Sequence, residues 1–136
     1  MPSGKPQLEQ TGSRQFVSWL SENALSLSFS TYQAGKLFFV GLSEDHQLSV
    51  FERTFPRCMG IALDVLAQSL WVANLYQLWR FENALKPGQY HHGYDCVYVP
   101  QVGYTTGDVD AHDVAVDQQG PVFVNTLFSC LARPSE

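Results

Sequence analysis

The chain of 136 residues contains little charge: Asp, Glu, Lys and Arg together make up 15% of it, against about 25% in an average soluble domain. Only 8 residues are Lys or Arg, and the formal net charge is −5. A protein that binds nucleic acid must neutralise a row of phosphates with basic side chains. The composition therefore argues against a nucleic-acid partner. Because 45% of the residues are hydrophobic, it also excludes intrinsic disorder.

Long apolar segments and paired cysteines are missing as well. No hydrophobic run approaches the ~18 residues of a transmembrane helix, and no apolar segment follows Lys5 as it would in a secretory signal peptide. We therefore predict a cytoplasmic protein without a membrane partner. Cys58, Cys96 and Cys130 are too few and too far apart for a disulfide framework. We expect each of them to be a small buried hydrophobic residue.

Common catalytic motifs are also absent. The sequence has no Gly-rich phosphate loop, no nucleophile elbow and no HExxH pair. No reaction can therefore be read from a motif, and the question of an enzyme stays open at this point.

Short runs rich in Val, Phe, Trp and Tyr, separated by turn residues, make up most of the chain, which is typical of strands. Residues 1–13 are rich in Pro, Gly, Ser and Gln, and we predict a loose segment there and one domain over residues 14–136. Ser13 is predicted to cap a short helix over residues 14–22. The ten predicted strands are Leu25–Tyr32, Lys36–Leu42, Gln47–Arg53, Gly60–Asp64, Ser69–Asn74, Gln77–Glu82, Val97–Val99, His112–Asp117, Val122–Thr126 and Ser129–Ala132. The predicted fold class is all-β.

Two stretches of the chain resemble each other. GIALD (Gly60–Asp64) aligns with DVAVD (Asp113–Asp117) at an offset of 117 − 64 = 53, and LWVANLYQLW (Leu70–Trp79) aligns with VFVNTLFSCL (Val122–Leu131) at 123 − 71 = 52. The Asp that ends the first strand of each copy is predicted to form a turn. Such a repeat indicates β-propeller-type blades, about two and a half of them, in an incomplete ring; a β-sandwich is the alternative.

An incomplete ring exposes strand edges and blade faces, and propellers have 4–8 blades. We therefore expect the chain to be a fragment of a longer protein or to associate with itself through its open blade edges.

Five longer motifs resemble a family of conserved hypothetical proteins, the domain of unknown function family 4915. These motifs are FSTYQAGKL (Phe29–Leu37), FERTFPRCMG (Phe51–Gly60), LYQLWRFEN (Leu75–Asn83), YTTGDVDAHDVAVD (Tyr104–Asp117) and FVNTLFSCLA (Phe123–Ala132). The resemblance covers residues 24–132 and implies the N-terminal part of a longer, β-propeller-like protein. Cys58 stands where the family pattern has Pro, which argues against a functional role for it. The family has no established reaction to carry over.

The densest polar cluster consists of Asp108, Asp110, His112 and Asp113. Alternation along a strand would place the first three on one side and Asp113 on the other. Carboxylate oxygens and an imidazole suit a divalent ion such as calcium, and Asn125 could add an amide oxygen. We predict a ligand-binding site here, with the metal unknown; the alternative is a hydrogen-bond network that fixes the turn.

Two functions fit these observations. The first is a binding or interaction module, whose loops present a surface to a protein or small-molecule ligand. The alternative is a metal-dependent hydrolase of the lactonase-propeller type, in which the cluster holds an ion that polarises a carbonyl and activates water. A divalent ion bound stoichiometrically, and lost on Asp110→Ala, would indicate the hydrolase.

Overall fold

The computed structural model describes residues 9–135, and within them it contains one helix and ten strands. The elements are α1 (Phe16–Glu22), β1 (Leu27–Thr31), β2 (Lys36–Leu42), β3 (Leu48–Thr54), β4 (Ile61–Asp64), β5 (Ser69–Ala73), β6 (Gln77–Asn83), β7 (Tyr98–Thr105), β8 (Val114–Asp117), β9 (Gly120–Asn125) and β10 (Cys130–Ala132). The predicted all-β class with a short helix is confirmed. Of the predicted loose segment, residues 1–8 lie outside the described residues, and residues 9–13 have no regular secondary structure.

The helix α1 begins two residues later than predicted. Its N-cap is Gln15, which makes no side-chain cap hydrogen bond, so the predicted cap by Ser13 is wrong. Ser13 contributes its main chain instead: its carbonyl oxygen accepts a hydrogen bond from the Phe16 amide at 3.1 Å. In the described part of the chain, no helix is long and apolar enough to cross a membrane.

Strand β7 is far longer than the predicted strand Val97–Val99. The prediction was too short because β7 contains two residues, Pro100 and Gly103, of types that usually interrupt strands. Pro100 is tolerated because β7 is the last strand of its sheet, where a missing amide donor costs no ladder bond. Gly103 lies against the ring of Trp79, whose carbon atoms would stand 3.1 Å from an added Cβ. The edge position of β7 therefore permits Pro100, and the close contact with Trp79 favours glycine at position 103.

The strands form three antiparallel sheets in chain order, which do not close into a barrel within residues 9–135. The first sheet has the order β1-β2-β3, the central sheet β4-β5-β6-β7, and the third sheet β8-β9-β10. Each strand is hydrogen-bonded to the strand that follows it in its sheet.

The central sheet lies between the other two. All five residues of β5 are buried, and alternation places them on opposite faces of the sheet. Leu70 and Val72 belong to a cluster that includes Leu37 of the first sheet. On the other face, Trp71 and Ala73 pack with residues of the third sheet. The two clusters join the sheets face to face, and burial of apolar area is the main term that holds them together.

The pairing registers show which positions of the central and third sheets correspond. Ile61 pairs with Val72, and Val114 pairs with Phe123. The first strands therefore correspond at 114 − 61 = 53, as predicted, but the second strands correspond at 123 − 72 = 51. The sequence alignment had placed the second strands at an offset of 52, one residue more than the observed offset of 51. A shift of one residue exchanges the side chains that lie on the two faces of a strand.

The predicted turn-forming aspartates are found in both sheets. The Asp64 carboxylate accepts a hydrogen bond from the Ala67 amide at 3.0 Å, and the Asp117 carboxylate accepts one from Gln119 at 2.8 Å. Each carboxylate thus takes up a main-chain donor that the turn leaves without a strand partner.

The three cysteines are free and have different environments. Cys58 is fully buried in the cluster between the first and central sheets, and burial raises the pKa of its thiol to about 11. It is therefore a neutral packing residue at neutral pH, as predicted. Cys96 and Cys130 are exposed, so the prediction of burial is wrong for both: Cys96 lies in the β6–β7 loop and Cys130 on the edge strand β10.

Candidate functional site

Five connections between strands lie at the same end of the stacked sheets, because every second connection of an antiparallel sheet is on the same side. We name this end the loop end. It consists of residues 32–35, 55–60, 74–76, 106–113 and 126–129.

Main-chain hydrogen bonds join these connections to one another. In each bond the amide of one connection donates to a carbonyl oxygen of another. The bonds run from Phe55 to Gly35 (2.8 Å), from Leu75 to Pro56 (2.9 Å), from Thr106 to Tyr76 (2.8 Å) and from Leu127 to Val109 (3.5 Å). The loop end is therefore one continuous surface that crosses all three sheets.

An arginine bridges two of these loops. Arg57, in the connection between β3 and β4, donates from Nη1 to Asp108 Oδ2 at 3.3 Å and from Nη2 to Asp110 Oδ1 at 3.0 Å. Its guanidinium also lies 5.6 Å from the ring centroid of Tyr32, in cation–π geometry. Because all three charged side chains are partly exposed, solvent screens these ion pairs, and their main effect is to position the loops.

Asp110 is the centre of this network. Its Oδ2 is hydrogen-bonded to His112 Nε2 at 3.0 Å, while its carbonyl oxygen accepts a hydrogen bond from the Thr126 hydroxyl at 2.7 Å. The hydrogen bond with His112 is the main cause that holds the pKa of Asp110 below its ordinary value, and the positive charge of Arg57 adds a smaller effect in the same direction. The carboxylate of Asp110 therefore stays ionised at every pH above the ordinary carboxyl range.

The predicted site residues lie in a loop and not in a strand. Residues 106–113 have no strand structure, and the positive φ of Gly107 and of Asp110 turns the chain away from an extended path. The predicted strand alternation is therefore wrong. The loop nevertheless brings Asp108, Asp110 and His112 into one network with Arg57.

The other two predicted residues serve their own turns. Asp113 Oδ1 accepts a hydrogen bond from the amide of Val114 at 2.9 Å. Asn125 is buried, and its Oδ1 accepts one from the amide of Phe128 at 3.1 Å. Asn74 does the same in the central sheet, where its Oδ1 accepts from Gln77 at 2.9 Å.

These contacts do not fit a calcium site. Calcium takes 6–8 oxygen ligands around one centre, whereas here the carboxylates of Asp108 and Asp110 are paired with Arg57. Within residues 9–135, no group of three or more His, Cys, Asp or Glu is placed to hold a metal ion. The cation among these carboxylates is the guanidinium.

Large exposed side chains lie in other connections of the loop end, and the sequence reasoning missed them. They are Tyr32, Tyr76, Leu127 and Phe128, the last of which is 70% exposed. Two connections share a signal that could have revealed them: Asn74 and Asn125 each begin a turn whose tip carries large apolar residues.

A cleft of about 250 Å³ lies beside the loop end, between β7 and β9. Its lining includes Tyr104, Thr106, Asn125 and Arg133. Pockets that enclose small molecules usually measure about 300–1,000 Å³, so this cleft is small for such a ligand.

The fold and the site together define an all-β domain of stacked antiparallel sheets, with its charged network and its exposed aromatic side chains on the loops of one end. The model of the family described as "Domain of unknown function (DUF4915)" matches residues 14–136, and the chain belongs to this family. The resemblance noted in the sequence motifs is thereby confirmed. No curated protein and no solved structure matches the chain.

Proposed function

We propose that the chain is a binding module made of β-propeller-type blades and that its loop end binds a polypeptide partner. The stacking of the sheets supports the first part, since propeller blades also pack face to face, each against its two neighbours. The cytoplasmic location predicted from the sequence stays a prediction.

The observation that carries the proposal is the composition of the loop end. Exposed Tyr32 lies against the guanidinium of Arg57, and exposed Tyr76 and Phe128 lie in other connections of the loop end. Tyr, Phe and Arg are enriched in the centres of protein–protein interfaces, where a few such side chains supply most of the binding energy. Isolated exposed apolar residues are common, but here several lie on one surface with an arginine.

This surface is also preorganised. Its loops are joined by main-chain hydrogen bonds, and both Arg57 and Asp110 have positive φ values. That conformation costs a non-glycine residue on the order of 1–3 kcal/mol, and it persists where surrounding contacts impose it. A surface fixed before binding loses less conformational entropy when a partner binds.

The geometry favours a polypeptide over an enclosed small molecule. The cleft beside the loop end is small, whereas the exposed side chains extend from Tyr32, after β1, to Phe128, before β10. Such a surface crosses all three sheets and suits an extended partner.

A random peptide library selected on the purified chain tests the proposal. Dissociation constants of the selected peptides are then measured by fluorescence anisotropy with Tyr76→Ser, Phe128→Ser and wild type. Loss of an aromatic anchor costs more than about 1.4 kcal/mol, so we expect binding at least ~10-fold weaker in both variants.

The control is Leu66→Ser, because Leu66 is 98% exposed and lies in the β4–β5 turn, at the opposite end of the sheets. This variant is expected to bind as the wild type does. The proposal is contradicted if no peptide is selected, or if the selected peptides bind both loop-end variants as tightly as the control.

A further inference from the structure

We propose that the cleft between β7 and β9 binds a carboxylate, which belongs either to a small organic acid or to the end of a polypeptide. Asn125 and Arg133 are the residues that recognise it. This inference goes beyond the proposed function, because the lining of the cleft, as far as the structure describes it, includes none of Tyr32, Tyr76 and Phe128.

Asn125 is the buried polar residue of this cleft. It belongs to the lining although it is only 8% exposed. The two polar atoms of its side-chain amide have different environments. Oδ1 accepts the hydrogen bond from the Phe128 amide at 3.1 Å, whereas Nδ2 has no hydrogen-bond partner among residues 9–135.

The nitrogen of this amide faces the cleft. Among residues 9–135, the one buried side-chain atom that lacks a hydrogen-bond partner is Arg80 Nε, so Nδ2 of Asn125 is not enclosed by protein. Its open side is the cleft. The nitrogen carries two N–H donors, and the bond between Oδ1 and the turn fixes their direction. The cleft therefore presents a positioned donor to an oxygen atom of a ligand.

The charge in the lining is positive. The chain has 13 acidic residues, but the described lining contains no Asp or Glu, and Arg133 is its one charged residue. Asp117 and the Gly120 carbonyl take three of the five N–H donors of this guanidinium. Asp117 balances part of the charge but lies outside the lining. An anion therefore meets two further donors in the cleft, whereas a cation meets no counter-ion.

The apolar part of the lining limits what else the ligand carries. Val109, Phe123 and Pro134 contribute to it. The cleft measures about 250 Å³, which equals ~8 water molecules at about 30 Å³ each. A carboxylate with a compact apolar body, such as a phenyl group that packs against Phe123, is of this size.

An NMR titration of the full, ¹⁵N-labelled chain with phenylacetate tests the inference. We expect the side-chain amide resonances of Asn125 to shift, with a dissociation constant on the order of 1 mM for a ligand this small. Phenylacetamide has nearly the same shape but no charge, and it should bind at least ~3-fold more weakly because charge-assisted hydrogen bonds are lost. The cation 2-phenylethylamine should cause no shift.

Asn125→Asp is the matched variant. It keeps the oxygen that accepts from the Phe128 amide and replaces the donor by an anionic oxygen, so phenylacetate should bind at least ~10-fold more weakly. Arg133→Gln should weaken binding at least ~3-fold through the loss of its charge. Arg53→Gln, on β3 and outside the lining, should bind as the wild type does. The ¹H–¹⁵N spectrum of each variant shows whether it is folded, and Arg133→Gln remains a test if Asn125→Asp does not fold.

The tripeptide Gly-Gly-Phe, with a free carboxylate, distinguishes the two sources of the ligand. Tighter binding than that of phenylacetate identifies the end of a polypeptide, and weaker binding identifies a small acid. The proposal is overturned if neither compound shifts the Asn125 amide, if 2-phenylethylamine binds as tightly as phenylacetate, or if Asn125→Asp and Arg133→Gln both bind as the wild type does. Tyr76→Ser should leave phenylacetate binding unchanged, so this proposal and the proposed function can fail independently.

Discussion

Replacing Leu78 by Ala is expected to lower the free energy of unfolding by about 2–5 kcal/mol, the range for leucines truncated in a packed core. Leu78 is 1% exposed and belongs to the cluster between the central and third sheets. The substitution removes apolar contacts and leaves a cavity between two sheets, which rigid strands fill poorly. Urea denaturation of wild type and variant, with linear extrapolation, measures the difference.

Leu131→Ala is the matched control. Leu131 occupies the corresponding position of the third sheet but is 71% exposed, and surface substitutions usually change stability by less than about 0.5 kcal/mol. Equal losses for the two variants would show that the third sheet does not cover Leu78 as described.

Replacing Gly60 by Ala is expected to destabilise the protein by about 1–3 kcal/mol, the usual cost of forcing an extra carbon into a packed site. A Cβ at Gly60 would stand 2.7 Å from the carbonyl carbon of Asp113 and 2.8 Å from its Cα. Because these are main-chain atoms, the β7–β8 loop itself would have to move. The same loop carries Asp108 and Asp110, so the contacts with Arg57 should weaken as well.

Gly12→Ala provides the control for the change from Gly to Ala. A Cβ at Gly12 would meet its nearest neighbour, a ring carbon of Phe16, at an ordinary distance of 3.4 Å. Urea denaturation should therefore show little change for Gly12→Ala and a clear loss for Gly60→Ala. A Gly60→Ala variant as stable as the control would mean that the loop does not pack against Gly60.

The strands were predictable because short-range signals specify them. Runs rich in branched and aromatic residues, bounded by turn residues, identified all ten. The exception is the length of β7, where Pro100 and Gly103 hid the six strand residues 100–105. What permits them is the edge position and the ring of Trp79, and neither is visible in the local sequence.

Which side chains of β9 face the central sheet was not predictable from the similarity of the two repeats alone. The turn between β4 and β5 has 69 − 64 − 1 = 4 residues between paired ends, while that between β8 and β9 has 120 − 117 − 1 = 2. The alignment allowed for one lost residue and not for two. Because side chains alternate along a strand, that single residue decides whether Phe123 or Val122 faces the central sheet.

The site was predicted in part. Asp108, Asp110 and His112 do form one network, but their cation is Arg57, more than 50 residues earlier in the chain. The pairing depends on where the β3–β4 loop and the β7–β8 loop meet, which is a consequence of sheet stacking. The predicted strands left Tyr76 and Phe128 in turns. Their exposure on a common surface was missed because it depends on the turns of different sheets lying at the same end of the stack.

Residue-resolved amide hydrogen exchange tests the central claim, that the sheets stack with the central one in the middle. The account predicts the slowest exchange in β5, which is hydrogen-bonded on both edges and buried on both faces. The edge strands β1 and β10 should exchange much faster, because local opening is easiest where few buried contacts hold a strand. Exchange in β5 as fast as in β10 would contradict the stacking on which the proposed function depends.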